Sequence, residues 1–338
     1  MIYTNITFLS SRKRGMNIDM KLIKDYLERT MDHINFRYFL ESELNKNYMV
    51  KMGRQAAKKN FIHEKDNVIC IDGSLTNDLG KGEGKRILLA LPFGYQFEKA
   101  ISREENPDMG LLNNFKGFNY ILSPSPFTSD ILRKIYKLDG IKLIENVYAP
   151  FTWQISRPKF QEEVKDQFSV YYPSIKGKKT LSILTTGKLE ENKKNLYENF
   201  NLEDLLKNLG EEWFVFTNDS CILEQAVMLP ARYINSFGYI NHIYPPRNLL
   251  YFSDILVTNS SIYATYFVPC KKPVYCLKYN DNCFEQYIAK HHPDIYLKSL
   301  EELEELPYKK ENSFMREFLY ETGECAEETI RKILSDQI

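Results

Sequence analysis

Residues 250–261, which read LYFSDILVTNSS, decide the fold. They predict the end of a short helix (residues 247–252), a buried strand over residues 255–258, and a polar loop that leads into a helical or irregular stretch over residues 262–267. A Lys-Pro pair, Lys272-Pro273, then introduces another apolar strand over residues 273–277. Short, continuous apolar strands with helical connections between them are typical of a parallel sheet that is covered on both faces.

The polar loop after the first of these strands consists of Asn259, Ser260 and Ser261. At the carboxyl end of a parallel strand, hydroxyls and backbone N–H groups that open a helix form an anion site, and the helix dipole assists. The loop is therefore a candidate phosphate site. The alternative interpretation is an ordinary Asn-Ser helix cap, in which a side-chain oxygen only accepts a hydrogen bond from the first helical turn.

Strands and helices alternate in the same way along the whole chain. The first half contains predicted strands and helices over residues 2–9, 17–30, 34–40, 49–61, 68–71, 87–91, 120–122, 129–138 and 141–147. The second half contains them over residues 181–185, 202–209, 213–217, 222–229, 233–237, 255–258 and 273–277, and ends in a helical tail over residues 300–338. This alternation predicts an α/β fold with two Rossmann-like domains that face a cleft.

The predicted domain boundaries follow from where the alternation stops. Residues 1–150 form the first domain, and residues 179–338 form the second domain together with the C-terminal helices. The alternative is that the C-terminal helix crosses back to the first domain. Between them, residues 151–178 contain Pro158, Pro173 and several charges without a clear period, which predicts a crossover linker.

Composition excludes several classes of protein. Lys and Arg total 45 and Asp and Glu total 45, so the net charge is zero and a protein that works on naked nucleic acid is disfavoured. A membrane-spanning helix needs roughly 20 apolar residues, and no such run occurs in the sequence. The N-terminus reaches Arg12-Lys13-Arg14 too soon for a signal-peptide core, which predicts a cytoplasmic protein.

Cysteine and histidine spacing gives no support for a metal or a bound cofactor. The six cysteines form no CxxC pair, and the five histidines show no HxxxH spacing. The segment GKGEGK at residues 80–85 is not a phosphate loop, because Arg86 and a strand follow it instead of Ser or Thr and a helix. The prediction is therefore no metal, no cofactor and buried thiols in a reducing compartment.

Residues 250–285 resemble the C-terminal domain of GT-B glycosyltransferases, and most of all the CDP-glycerol glycerophosphotransferase group that builds teichoic acids. In that group, a strand DVLITDYSS is followed about eleven residues later by KP and another strand, and residues 253–261 with Lys272-Pro273 match this arrangement. Residues 119–128, NYILSPSPFT, resemble the stretch with SPS late in the group's first domain. The resemblance extends over residues 118–285.

The resemblance implies an enzyme that uses a nucleotide-activated donor as substrate and needs no metal. It would transfer a glycosyl or glycerophosphoryl group to a bacterial cell-surface glycan or glycoconjugate, with a glycan or lipid-linked acceptor. The two catalytic histidines of the group are not matched. Pro92-Phe93-Gly94 stands where the group has His-Gly, and Asn218-Asp219-Ser220 stands near the place of its Arg-x-His-Pro turn.

The candidate catalytic residues are therefore not histidines. Asp72 ends an apolar strand and is the first candidate for the base that accepts a hydroxyl proton, although Asp72-Gly73 is equally explained as a turn. Tyr95 and Glu98 are further candidates. For the donor phosphate, we add four residues to the Asn-Ser-Ser loop, namely Thr186, Gly187, Lys188 and Arg247. The alternative for Lys188 is a solvated surface lysine.

Three other functions stay open from the sequence. A CMP-sugar transferase related to sialyltransferases would use Ser260-Ser261 and the segment Ile71-Asp72-Gly73-Ser74. A nucleotide-sugar epimerase of the same fold and a non-catalytic GT-B-like subunit are the others. The basic residues at 12–14 and in the helix at residues 49–61 predict possible contact with anionic lipids at the inner face of the membrane.

Overall fold

The computed structural model describes most of the chain in two compact units. The described residues are 5–10, 18–32, 34–40, 67–72, 85–89, 118–135, 138–186, 200–239, 246–279, 281–299, 302–303, 314 and 323–335. The first unit comprises Met1–Phe151 together with Phe318–Ile338, and the second unit comprises Thr152–Glu317. Among the described residues, no helix has the length and apolar character needed to span a membrane.

The first unit is built on a parallel sheet of six described strands. These are β1 (Asn5–Ser10), β2 (Asn35–Leu40), β3 (Asn67–Asp72), β4 (Arg86–Leu89), β5 (Tyr120–Leu122) and β6 (Lys142–Ile144). Their order is β2-β1-β3-β4-β5-β6, and every neighbouring pair is parallel. The other elements described in this part of the chain are helices α1 (Ile18–Thr30) and α2 (Pro126–Ile135), strand β7 (Val147–Tyr148) and the beginning of α3 (Pro150–Ile155).

The second unit also contains a parallel sheet of six described strands. Its elements are α4 (Pro158–Phe168), β8 (Lys179–Leu184), α5 (Leu202–Leu209), β9 (Trp213–Thr217), α6 (Ser220–Ala226), β10 (Phe237–Tyr239), β11 (Ile255–Thr258), α7 (Ser261–Phe267), β12 (Val274–Leu277), α8 (Cys283–His291) and β13 (Tyr296–Leu297). The strand order is β10-β9-β8-β11-β12-β13, again all parallel. Counted along the chain this is the order 3-2-1-4-5-6 of dinucleotide-binding folds.

The central strands of the second unit form because their sequences are continuously apolar. Every residue of β9, β11 and β12 is buried, as expected for strands covered on both faces. The helix between β8 and β9 is delimited by two specific residues. Asn201 caps α5 by accepting hydrogen bonds from Glu203 N and Asp204 N, and Gly210 ends it at φ +82°, a conformation that favours glycine.

The structure differs from the predicted linker at residues 151–178. Most of this stretch is helical, and it belongs to the second unit from Thr152 onward. Pro158 starts α4 at the first helical turn, where a missing N–H is harmless, so it marks a helix start and not an interruption. Phe168 at the end of α4 packs on Tyr172, Phe216 and Phe252, with ring centroids 4.9–5.6 Å apart. The stretch therefore forms part of the core of the second unit.

The C-terminal helix lies in the first unit, so it crosses back, which was the alternative to the predicted place in the second domain. Strand β14 (Glu324–Cys325) pairs with β7, and α9 (Ala326–Leu334) packs into the first unit's core. Four α9 residues are buried in the same cluster as residues of β1 and α1: Ala326, Ile330, Ile333 and Leu334. The apolar stripe of α9 is visible in the sequence, but a stripe does not specify which sheet it covers.

Smaller differences concern individual elements. The strand predicted over residues 233–237 is a 3₁₀ helix, Ala231–Ser236, followed by β10. Helix α2 begins at Pro126, three residues before the predicted start, because Ser125 caps it through a hydrogen bond from Thr128 N. Helix α8 and strand β13 were not predicted. The basic helix predicted over residues 49–61 and the basic residues at 12–14 lie outside the described residues.

Glu328 on α9 ties this helix to α1, and its contribution to stability is expected to depend on pH. Hydrogen bonds from Arg331 and from the Tyr26 hydroxyl lower the pKa of Glu328 from 4.5 to about 2. Because the pKa is depressed in the folded protein, the stabilisation is present above about pH 4.5 and is lost as the pH falls toward 2.

We expect Glu328→Gln to lower the melting temperature at pH 7, with the difference from the native protein shrinking below pH 4.5. A Glu162→Gln control at an exposed site of α4 should melt like the native protein throughout. A Glu328→Gln deficit that stays constant down to pH 2 would contradict the assignment.

Candidate functional site

The polar residues singled out in the sequence gather at the switch point of the second sheet. Strands β8 and β11 are neighbours; the chain continues from β8 to β9 on one side and from β11 to β12 on the other, so the direction of progress across the sheet reverses between them. In open α/β sheets, ligands bind outside the carboxyl ends of the strands at such a point. The residues that follow β8 and β11 are Thr185-Thr186 and Asn259-Ser260-Ser261. Four of the predicted donor-phosphate residues therefore lie at this edge, namely Thr186, Asn259, Ser260 and Ser261.

Two asparagines hold the chain that leaves β8. Asn218 follows β9; its Oδ1 accepts a hydrogen bond from Thr185 N (2.8 Å), and its Nδ2 donates to Thr185 O (2.9 Å). Asn259 follows β11 and makes the same pair of bonds with the next residue, at 2.8 Å to Thr186 N and 3.0 Å to Thr186 O. We call these four hydrogen bonds the amide bracket.

Asn259 was predicted as a direct phosphate contact, and the structure gives it different partners. It is fully buried, both polar atoms of its side chain are used by Thr186, and its backbone carbonyl accepts a hydrogen bond from Asn282 Nδ2 at 3.0 Å. Thr186 itself is exposed. Asn259 therefore contacts Thr186, which follows the neighbouring strand, and fixes its position at the sheet edge.

Ser260 and Ser261 begin helix α7, one residue earlier than the sequence predicted. Ser260 is the N-cap residue, but its side chain makes no capping hydrogen bond, while its N–H donates to Thr258 Oγ1 at 3.0 Å. Both serines are nearly buried, with 6% and 4% of their surfaces exposed. The helix-cap alternative requires a side-chain hydrogen bond to the first turn, and the Ser260 side chain does not make one.

Asp219 connects several elements at the same edge and was missed as a site residue. Its Oδ1 caps α6 by accepting from Cys221 N (2.9 Å) and Ile222 N (3.2 Å), and its Oδ2 accepts from Thr185 Oγ1 (3.1 Å). The side chain of Tyr279, from beyond β12, interacts with Asp219 and Thr185, and burial raises the pKa of its hydroxyl. The signal that could have found this residue is the pair Asn218-Asp219 directly after a buried strand, the same pattern that marked Asn259.

Lys272 and Asp254, which carried part of the sequence resemblance, lie at the opposite edge of the sheet. Asp254 precedes β11 and accepts a hydrogen bond from Thr180 N at 2.9 Å. Lys272 Nζ is 3.2 Å from Asp254 Oδ1 and donates to Ser253 O at 2.8 Å. These residues hold the amino ends of β8, β11 and β12 together, so their role in the motif is structural.

The remaining candidates are described only in part. Asp72 is the last residue of β3, which lies beside β1 at the switch point of the first sheet, but its side chain is outside the described residues. Arg247 lies in the 3₁₀ helix Pro246–Tyr251, also without a described side chain. Tyr95, Glu98, Gly187 and Lys188 lie outside the described residues altogether.

At the carboxyl edge of the first sheet, four hydroxyl side chains follow β5 closely. Ser123, Ser125, Thr128 and Ser129 are buried and bonded to one another, with Oγ–Oγ distances of 2.8 Å between Ser129 and Ser123 and between Ser125 and Thr128. These bonds fix the start of α2 on the sheet. Within the described part of the chain, no group of three or more His, Cys, Asp or Glu side chains is arranged to hold a metal ion.

Two units, each built on a parallel sheet of six described strands, have the architecture of the GT-B class. The family model described as CDP-Glycerol:Poly(glycerophosphate) glycerophosphotransferase matches residues 2–336. The chain belongs to this family, which confirms the resemblance predicted from residues 118–285 and extends it to nearly the whole sequence. No curated protein sequence gives a significant match.

Solved structures agree on the fold. The wall teichoic acid polymerase TagF is similar at a TM-score of 0.61 and 14% identity, over 99% of this chain and 88% of that chain. A TagF variant soaked with CDPG gives a TM-score of 0.55 at 15% identity, over 99% and 89% of the two chains. The UDP-GlcNAc 2-epimerase of Methanocaldococcus jannaschii gives 0.51 at 14% identity, over 98% and 99%. The predicted α/β, GT-B fold class is confirmed.

Proposed function

We propose that this protein transfers the glycerophosphoryl group of CDP-glycerol to a hydroxyl of a poly(glycerophosphate) or related cell-surface glycan. The observation that carries the proposal is the family match over residues 2–336. It favours a glycerophosphotransferase over the CMP-sugar transferase, the epimerase and the non-catalytic subunit. The direct test is to incubate the purified protein with CDP-glycerol and a glycerophosphate-primed acceptor, and to measure the rate at which CMP is released. No CMP above the no-enzyme rate, with either a polymer or a lipid-linked primer, would reject the proposal.

The chemistry of this transfer assigns different tasks to the two sheets. An acceptor hydroxyl attacks the phosphorus that carries glycerol, the P–O bond to CMP breaks, and CMP leaves with the bonding electrons. The hydroxyl proton must pass to a base, and the charge that develops on the phosphates must be stabilised by donors already in place. The carboxyl edge of the second sheet, with Thr186, Ser260 and Ser261, is the phosphate side in this proposal, and Asp72 at the switch point of the first sheet is the base.

The two serines are expected to affect nucleotide binding more than folding. Hydrogen bonds to a charged phosphate contribute about 1.5–3 kcal/mol each, so Ser260→Ala combined with Ser261→Ala should weaken CDP binding by about tenfold or more. Because the Ser260 side chain does not cap α7, the melting temperature without ligand should change little. Isothermal titration with CDP and thermal unfolding of the same variant give both quantities. A drop in stability with unchanged CDP affinity would instead identify the serines as structural.

We also propose that the donor is held without a metal ion. The sequence has no Asp-x-Asp motif, and the proposed site uses hydroxyls and backbone N–H groups for the phosphates. CDP affinity measured by calorimetry should therefore be the same in EDTA and in Mg²⁺ or Mn²⁺. Binding that disappears in EDTA and returns with either cation would refute a metal-free site.

A further inference from the structure

The amide bracket extends the central strand of the second sheet beyond its last regular residue. Strand β8 ends at Leu184, and the next two residues would ordinarily leave the sheet. Each asparagine side chain presents one acceptor and one donor, as a peptide group does, and uses both on a single residue. Asn218 thereby pairs with Thr185 from the β9 side, and Asn259 pairs with Thr186 from the β11 side.

The main effect of the bracket is to fix the position of Thr186, not to provide partners for buried backbone groups. Thr186 is exposed, so water could satisfy its backbone N–H and C=O without any side chain. A typical protein hydrogen bond contributes little net stability when water is the alternative partner. Committing a fully buried asparagine to both backbone groups of one exposed residue therefore acts chiefly on where that residue lies.

The bracket is itself held by further contacts. Asn282 Nδ2 donates both to the Asn259 carbonyl and to Glu285 Oε1, each at 3.0 Å, and Glu285 is buried. On the other side, Asp219 accepts from Thr185 Oγ1 at 3.1 Å. Supporting contacts of this kind hold the residues that touch a ligand in productive geometry before the ligand arrives.

We propose that Asn218 and Asn259 are positioning residues for the donor phosphate: Asn218 holds Thr185, Asn259 holds Thr186, and together they fix where the exposed Thr186 lies at the switch point. This deepens the proposed function and rests on it. Neither asparagine touches the phosphate. Thr186 offers the hydroxyl that does. In the structure this hydroxyl donates a long hydrogen bond of 3.4 Å to Asn259 Oδ1, and in the proposal it turns to donate to the phosphate instead.

The experiment separates phosphate binding from recognition of the base. The affinities of CDP and of cytidine are measured for the native protein, Asn218→Ala, Asn259→Ala and Thr186→Ala. The asparagine variants misplace the Thr186 hydroxyl and Thr186→Ala removes it, so all three should weaken CDP binding by about tenfold or more. The affinity for cytidine should stay within about twofold of the native value, because cytidine lacks the phosphates. Asn259→Ser cannot make both hydrogen bonds and should weaken CDP binding by a similar factor. It is measured alongside and replaces Asn259→Ala if that variant does not fold.

Thr180→Val is the matched control. Thr180 lies at the amino end of the same strand, where its Oγ1 donates to Phe252 O at 2.6 Å, so its loss loosens β8 away from the site. A purely structural role predicts that CDP and cytidine affinities change in parallel, or that the asparagine variants behave like Thr180→Val; either result overturns the positioning role. If the native protein binds neither CDP nor CDP-glycerol, the proposed function itself fails. If it binds CDP and the asparagine variants bind it equally well, only the positioning role fails.

Discussion

Replacing Ile330 by Asp is expected to unfold the first unit and to leave the second unit folded. Ile330 on α9 is completely buried, in a cluster with Ile6, Phe8 and residues of α1. Truncation to Ala at such a site costs about 2–5 kcal/mol, and a buried carboxylate without a partner costs more. Since natural domains are stable by only about 5–15 kcal/mol, the aspartate should exceed what the unit tolerates.

Hydrogen exchange followed by mass spectrometry distinguishes the two units directly. In Ile330→Asp, protection should be lost over residues 1–151 and retained over residues 152–317. Val227→Asp is the matched control, because Val227 is 76% exposed in the second unit and the same change there buries no charge. Loss of protection over residues 152–317 would instead show that the C-terminal helix stabilises the second unit, as the sequence suggested.

Replacing Asp72 by Asn is expected to lower kcat for glycerophosphoryl transfer by about 10²–10⁴, the usual contribution of a general base. Asp72 is the last residue of β3 beside the switch point of the first sheet, and the amide cannot accept the proton of the attacking hydroxyl. Affinity for CDP should be unchanged, because the donor phosphates are assigned to the second sheet.

Steady-state kinetics with saturating CDP-glycerol, together with CDP titration, give kcat and affinity separately. Asp130→Asn, an exposed carboxylate on α2 after β5, is the control and should retain native kcat. If Asp72→Asn retains kcat within about threefold, the residue is a turn aspartate and the base must be sought elsewhere. Tyr95 and Glu98 are then the next variants to make.

The sequence predicted those elements whose signal is local. Strands β5, β9 and β11 and helix α5 have the predicted bounds, because apolar runs define the strands and Asn201 and Gly210 define the helix ends. Helix α4 was missed because Pro158 looked like an interruption. The sequence left open which unit α9 docks on, since an apolar stripe contains no information about the distant sheet that it covers.

The candidate site was predicted in its positions but not in its connections. Residues directly after buried strands, such as Thr186 and Ser260, are recognisable from sequence because α/β sites are built there. The bracket requires knowing that β8 lies between β9 and β11. That order depends on how the whole sheet assembles, so the pairing of Asn218 and Asn259 with consecutive threonines is not readable from any one segment.

Because α9 belongs to the first unit, that unit cannot finish folding until the whole sequence of the second unit has been synthesised. During synthesis, all of Thr152–Glu317 leaves the ribosome before Phe318–Ile338 does. At roughly 5–20 residues per second the last segment takes about one to four seconds more. The second unit can therefore fold first, while the sheet of the first unit still exposes the apolar face that α9 will cover. Apolar surface of the nascent chain is therefore exposed for longer in the N-terminal half than in the half that follows it.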